Sequence, residues 1–272
     1  MIQDILPHRL YNQYNPKKMA DDESIIISFQ NGNVLIKEDM FPKAKEFDVL
    51  DYNKLIYLFS IDEENDYYLL EDADHTPEGY EFVDLKELRN HGEYKKYRMF
   101  VAYTALQLSR WYKNNRFCGR CGGKTYLDEK ERALRCNCGN VIYPRVVPAV
   151  IVGVINDDKL LVTKYRVGYS HFALVAGFTE IGETLEETVA REVMEEAGLK
   201  VKNIRYYKSQ PWGMADDILA GFYCDVDGDD TISMDADELK LAEWRSRDEI
   251  ELQPDEFSLT NEMMKRFKEG LE

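Results

Sequence analysis

Positive charge is scarce in this chain. Its 35 Lys and Arg stand against 51 Asp and Glu, a formal net charge of -16. So acidic a balance argues against general affinity for nucleic acid, which needs a basic surface to neutralise phosphates. Long apolar runs are missing too. No stretch approaches the roughly 20 apolar residues that a membrane-spanning helix needs. The opening MIQDILPHRL lacks a signal-peptide pattern. These absences lead to the expectation of a cytoplasmic protein with no membrane partner. Histidine is rare, and His8, His75 and His91 are scattered rather than gathered into a ligand set. Cysteine is rare as well, with five in all, four of them between positions 118 and 138. That clustering points to a metal site in a reducing compartment, not to a disulfide framework.

What is present describes a globular chain. Its 272 residues suggest two modest domains, and 44% hydrophobic residues allow a sizeable core. The charge is uneven: Arg89 to Arg145 holds thirteen Lys and Arg against four Asp and Glu. Two readings of that strip stay open. Its cations offset cysteine thiolates and pair with acidic neighbours, or they form a docking strip for a polyanion.

The first hundred residues show hairpin patterns and no catalytic constellation. SIIISF (24–29) and NVLI (33–36) flank an Asn-Gly turn, and KLIYLFSI (54–61) and YYLL (67–70) flank an acidic one. A helix is expected from about Asp84, and a longer one from Tyr94 to Asn114 with an apolar face of Met99, Ala102, Tyr103, Leu106 and Trp111.

Cys118 and Cys121 then stand in FCGRCGG, followed by Cys136 and Cys138. Four thiolates in two turns are the ligand set of a closed, tetrahedral Zn²⁺ site of structural kind. The second pair is C-x-C, one residue short of the usual spacing, so a metal-free loop remains the alternative. VIYPRVVPAVIVGVIN (141–156) reads as one buried strand, with KLLVTKYR (159–166) as its hairpin partner. Further strands are expected in HFALVAGF, VKNIRYYKSQPW, ILAGFYCDV and ELKLAEW. Cys224 stands alone among them as inert core. An amphipathic helix capped by Ser258 closes the chain.

The densest signal is GFTEIGETLEETVAREVMEEAGL, from Gly177 to Leu199. Leu185, Val189 and Val193 recur every four residues, with Ala190, Met194 and Ala197 alongside, and Gly198 supplies a helix stop. Glu192, Glu195 and Glu196 fall at i, i+3 and i+4, so their carboxylates share another face. Like charges so close call for a cation, and hard divalent ions such as Mg²⁺ bind through carboxylate oxygens and substrate phosphates.

Gly177, Glu183, Arg191-Glu192-Val193, Glu195-Glu196 and Gly198-Leu199 match the Nudix box at every defining position, and the chain resembles the Nudix hydrolases. The zinc ribbon, Tyr143-Pro144-Arg145 behind it, and Ser209-Gln210-Pro211-Trp212 beyond the box resemble the NADH pyrophosphatases, a group that includes enzymes removing NAD caps from RNA. The resemblance covers about residues 113–272. It implies an α+β/α/β chain: a Nudix α/β/α sandwich at 145–272, a zinc ribbon at 113–144 and a smaller noncatalytic α+β domain at 1–112.

The resemblance further implies hydrolysis of the pyrophosphate bond of NAD(H), a dinucleotide, to AMP and nicotinamide mononucleotide, and action on NAD-capped RNA. Mg²⁺ or Mn²⁺ would sit among Glu192, Glu195, Glu196 and Glu238. Glu195 or Glu238 is the expected general base, and Arg191 pairs with Glu183. Phe178 would stack on a ring of the substrate, and Tyr143 would reach the pocket from the partner in a homodimer. The pattern also departs from the family. Asp217 stands where a serine is usual, Gly213-Met214 replaces the segment after Trp212, and Thr260 replaces an alanine. An inward-facing Asp217 would disfavour an anionic ligand. Two alternatives follow: the same chemistry on ADP-ribose or a dinucleoside polyphosphate, or a ribbon module that binds without hydrolysis.

Overall fold

The computed structural model describes residues 1–73, 75–91 and 95–272, and the side chains of these except for positions 90 and 91. Tyr94 and the side chain of His91 lie outside the described residues. The chain divides into two compact units. One comprises Gln3–Arg145 with Gly213–Asp216; the other comprises Met1–Ile2, Val146–Trp212 and Asp217–Glu272.

The first unit is built from short strands and two helices: β1 (Leu10–Tyr11), β2 (Ile25–Ile27), β3 (Phe29–Gln30), β4 (Asn33–Ile36), β5 (Ile56–Ile61), β6 (Asn65–Leu69), β7 (Glu81–Val83), α1 (Leu85–His91) and α2 (Lys96–Asn114). Both expected hairpins form, but the first is shorter than 24–29: only Phe29–Gln30 pairs with β4, while Ile25–Ile27 runs parallel to β6 in another sheet. β3 and β4 join through Asn31 and Gly32, both left-handed, which the Asn-Gly pair tolerates at little cost. β5 and β6 join through the acidic turn, and a four-stranded sheet of order β1-β5-β6-β2 results. The first histidine of the chain is engaged locally, with His8 Nδ1 2.7 Å from an Asp62 oxygen.

The ribbon belongs to the same unit as β8 (Thr125–Leu127), β9 (Leu134–Cys136) and β10 (Val141–Ile142), a small sheet of order β10-β9-β8. The Tyr14 hydroxyl donates to the Asp128 carbonyl at 2.7 Å, and Arg132 donates to the Leu58 carbonyl at 2.6 Å. Much of the basic strip is spent on such contacts. Arg98 pairs with Asp39, Arg116 with Glu71 and Asp72, and Arg135 with Asp128 and Glu131. This favours the first of the two readings of that strip.

The second unit carries β11 (Val147–Asn156), β12 (Lys159–Tyr165), β13 (Val175–Phe178), α3 (Leu185–Ala197), β14 (Val201–Trp212), β15 (Asp217–Val226), β16 (Leu239–Ser246) and α4 (Leu259–Lys268). The sheet runs β14-β15-β11-β12-β16, with β13 also paired to β11. β11 runs parallel to β15 and antiparallel to β13, so the sheet is mixed. Alternation along β11 explains why the strand is apolar on both sides. Val150, Val152 and Val154 pack with Val189, Val193 and Ala197 of α3. Ile151 and Ile155 pack with Leu259, Met263, Met264 and Phe267 of α4. The result is an α/β/α sandwich.

Two expectations need correction. The run 141–156 is two strands, not one. Val141–Ile142 pairs within the ribbon, and the chain leaves the ladder at Tyr143-Pro144 before β11 begins at Val147. Proline has no N–H to donate there, and an apolar run carries no mark of which sheet it joins. In α3, Ala190 and Met194 are exposed, and the buried face is Thr188, Val189, Val193, Glu196 and Ala197. A carboxylate therefore lies in the buried stripe.

Candidate active site

The four ribbon cysteines meet at one point. Their Sγ atoms all lie within 4.8 Å of one another, with Cys118–Cys138 at 3.7 Å and Cys121–Cys136 at 3.4 Å. A tetrahedron of thiolates about 2.3 Å from Zn²⁺ has edges of about 3.8 Å, so the donor set fits that ion. The short C-x-C pair is accommodated by Gly139, whose left-handed φ of 85° lets its N–H and the Asn140 carbonyl both turn back to Cys136. The Arg120 N–H, bonded to the Cys118 sulfur at 3.4 Å, is the main cause that lowers that thiol to about 6, and thus favours the thiolate a metal needs. Cys224 is the opposite case: burial in β15 pushes its thiol up to about 12.

These environments predict a thiol count. An alkylating agent should find no reactive cysteine in the zinc-loaded fold, four after a chelator, and the fifth, Cys224, only on unfolding. Mass spectrometry of the alkylated protein checks this. Four free thiols in untreated, zinc-replete protein would contradict it.

The carboxylates are assembled by a strand, a loop and a helix. β13 ends at Phe178, the loop crosses Glu183, and α3 starts after Thr184. The Thr184 hydroxyl accepts from the Glu187 N–H, and the Glu187 carboxylate accepts from the Thr184 N–H. The helix ends at Gly198 with φ 71°. Between these caps Arg191 is a hub. Its Nε and Nη2 donate to Glu183 at 2.6 and 3.0 Å, and its Nη1 donates to Glu192 at 2.7 Å and Glu195 at 2.9 Å. Nη2 also donates to the Phe178 carbonyl at 2.8 Å, which ties the helix to β13. The guanidinium holds Glu183 down to about 2, so that carboxylate is ionised and spoken for.

The other carboxylates are arranged by depth. Glu195 is 59% exposed, Glu192 is 13% exposed and Glu196 is 2% exposed. One Glu196 oxygen faces the Ala176 N–H at 3.4 Å, and the other is buried with no hydrogen-bond partner among the described residues. Burial first, then the charge of Glu238, pushes Glu196 up to about 8. Burial also raises Glu192, against the pull of Arg191. Glu238, exposed on the loop before β16, adds its charge to both. Glu192, Glu196 and Glu238 thus each feel another's charge, with the bare Glu196 oxygen the deepest of their atoms. Among the described residues only the ribbon sulfurs already stand at ion-binding distance, while carboxylate oxygens are the donors a hard divalent cation takes.

Gly177 is required by this packing. A Cβ there would sit 1.9 Å from the Glu192 carboxyl carbon. Gly177→Ala should push Glu192 off β13 and lower metal-dependent turnover by about 10²-fold, the cost expected when a positioned group is misplaced by an ångström. Measured turnover within a few-fold of wild type would contradict the contact.

Tyr165 is a neighbour that sequence reasoning missed. Burial, then the charges of Glu196, Glu238 and Glu192, raise its hydroxyl well above the usual range. A register shift between Lys164 and Tyr165 where β12 meets β16 marks the spot, and such bulges re-aim side chains. In the sequence it looks like any tyrosine at a strand end.

The other expected residues fall in several places. Phe178 is 53% exposed beside the box. Ser209, Gln210, Pro211 and Trp212 close β14, and Asp217, buried, opens β15 opposite Trp212. The Gln210 side chain is fully buried. Its Nε2 donates to the Phe257 carbonyl, and its Oε1 accepts from the Leu259 N–H, both at 2.7 Å. It thereby holds the start of α4, where half-buried Thr260 sits. Tyr143 is in the other unit, exposed, with its hydroxyl donating to Glu131 at 3.0 Å. The turn Gly213–Asp216 is also in that unit. Arg110 donates to the Gly213 and Met214 carbonyls and pairs with Asp216, and a Cβ at 213 would strike the Tyr103 carbonyl at 2.3 Å. The glycine there is thus demanded by packing on α2.

Residues 144–267 match the NUDIX domain, and residues 113–143 match the NADH pyrophosphatase zinc ribbon domain. Among curated proteins, the NAD-capped RNA hydrolase NudC of Klebsiella pneumoniae (strain 342) is 42% identical over 159 residues, 57% of this chain and 60% of that protein. Its namesake from Escherichia fergusonii is 40% identical over 162 residues, 58% of this chain and 62% of that protein. The chain thus spans about three fifths of the length of these relatives. A crystal structure of a NUDIX hydrolase from Nitrosomonas europaea superposes with a TM-score of 0.49 at 25% identity, covering 57% of this chain and 90% of that one. Residues 113–267 are thus similar to a zinc ribbon of the NADH pyrophosphatase kind followed by a NUDIX domain.

Proposed function

We propose that this chain hydrolyses the pyrophosphate bond of NAD(H) to AMP and nicotinamide mononucleotide, and acts in the same way on the NAD cap of an RNA. The observation that carries the reading is Glu196, a carboxylate almost wholly buried with one bare oxygen. Burying a charge without a counter-charge is costly, so the fold is arranged for a cation. The names of the NudC relatives and the Ser209–Trp212 segment support the substrate.

Glu192, Glu195, Glu196 and Glu238 would hold Mg²⁺ or Mn²⁺, which when bound polarises the phosphates and offsets charge in the transition state. The remaining tasks fall to the chain's own groups. Arg191 keeps α3 in register against Glu183 and β13. Glu195 or Glu238, both exposed, accepts the proton of the attacking water. Phe178 stacks on a ring of the dinucleotide, a contact of about 1–3 kcal/mol. Ser209, Pro211, Trp212 and Thr260 line the remainder of the substrate site, with Gln210 holding the segment that carries Thr260. Tyr143 completes the pocket of a partner subunit in a homodimer, and the protein works in the cytoplasm with Zn²⁺ as a structural ion.

Asp217 supports a second reading, hydrolysis of ADP-ribose or a dinucleoside polyphosphate, because a buried acid at the head of β15 alters the end of the site where the family carries serine. Incubation with NADH, NAD⁺, ADP-ribose, diadenosine polyphosphates and NAD-capped RNA, with separation of phosphate-bearing products, distinguishes the two. Fastest release from NADH or the capped RNA is expected; fastest release from ADP-ribose would transfer the assignment to the second reading.

A further inference from the structure

The first unit holds a cavity of about 550 Å³ that the hydrolytic reading does not use. It lies against β5 and β6, the end of β4 and the first turn of α2, and its volume is within the range of small-ligand sites. Four rings give it an aromatic character. Phe41 and Tyr67 are buried, edge to face at 6.1 Å, and Tyr80 and Tyr97 are partly open.

Most charges along the wall are already matched. Lys43 and Lys45 both engage one carboxylate, Glu23; Arg98 pairs with Asp39; and Asp62 takes His8 and the Arg9 N–H. Glu46 accepts from the Tyr80 hydroxyl and the Lys43 N–H. Lys37 differs. Its ammonium lies 5.9 Å from the Tyr80 ring centroid, with no carboxylate in ion-pair range among the described residues. An aromatic box with one uncommitted ammonium at an open ring suits a planar base with a single anionic group. Because Glu38 and Glu46 also line the cavity, a polyphosphate is disfavoured there.

We propose that this cavity is a second nucleotide site, taking a nucleoside 5′-monophosphate with its base among Tyr67, Tyr80 and Tyr97 and its phosphate at Lys37. The site is independent of the Nudix carboxylates, and the assignment stands or falls apart from the reaction they perform.

The test is calorimetric titration of the full chain with AMP, adenosine and ATP, without added divalent ion, beside Lys37→Gln and Tyr80→Leu. Circular dichroism establishes that each variant is folded. AMP should bind one-to-one and more tightly than adenosine or ATP. Tyr80→Leu should weaken both AMP and adenosine at least tenfold, whereas Lys37→Gln should weaken AMP alone. Divalent-dependent hydrolysis should be unchanged in both variants. Absence of AMP binding, AMP binding unaltered in the two variants, or adenosine bound as tightly as AMP would overturn the proposal.

Discussion

Glu195→Gln should lower turnover by about 10²–10⁴-fold, the range for loss of a positioned proton acceptor, with larger losses if a metal ligand goes with it. The melting temperature should stay within about 2 °C of wild type, as expected for an exposed side chain away from the core. The asymmetry follows from geometry. Glu195 is 59% exposed and pairs with Arg191, which keeps Glu183 and Glu192 when Glu195 is neutralised. Steady-state kinetics on NADH with Mg²⁺, beside scanning calorimetry, checks both halves. Turnover within tenfold of wild type would remove Glu195 from the site, and a large fall in melting temperature would make its role structural.

Glu196→Gln should move stability and activity in opposite directions. In the metal-free protein the carboxylate is buried, with its main destabilising influence the loss of water and the next the charge of Glu238. A neutral amide of the same shape removes that penalty, so the metal-free melting temperature should rise. The stabilisation conferred by Mg²⁺ or Mn²⁺ on the wild type should fall sharply, and turnover with it. The pH dependence has a definite sign. The folded carboxyl titrates at about 8, above its ordinary value of 4.5, so between these values the folded chain keeps a proton that the unfolded chain has released. The stability Glu196 contributes to the metal-free fold is therefore full below about pH 4.5 and is lost as pH rises through about 8. Melting curves across this window should slope downward for wild type and flatten for Glu196→Gln. A slope equal in both would contradict the burial argument.

The carboxylate-bearing helix was legible because its signals are local. Carboxylates at i, i+3 and i+4, a glycine before the loop and a glycine at the helix stop each act within a turn or two of themselves. The structure adds why they are needed: Gly177 makes room for Glu192, and Gly198 closes α3 in a left-handed conformation. The same holds for the cysteine pairs and the Asn31-Gly32 hairpin.

Features that depend on distant pairing were not legible. The 141–156 run looks continuous, since nothing in its valines says that two residues pair in the ribbon and ten in the central sheet. Ala190 and Met194 match a helical period yet face outward, because Thr188 and Glu196 take places in the buried face. Tyr165 enters through a bulge whose position only the pairing of β12 with β16 determines. Gly213 answers to a carbonyl on α2, more than a hundred residues earlier in the chain.

The central claim is that the chain cuts the phosphoanhydride bond between the two halves of NAD(H). Hydrolysis of NADH in 18O-labelled water, followed by mass analysis of the products, tests it most directly. The account predicts AMP and reduced nicotinamide mononucleotide in equal amounts, with one atom of label on one of the two phosphates. Intact NADH beside ready cleavage of ADP-ribose, or products with the label on a sugar carbon, would contradict it.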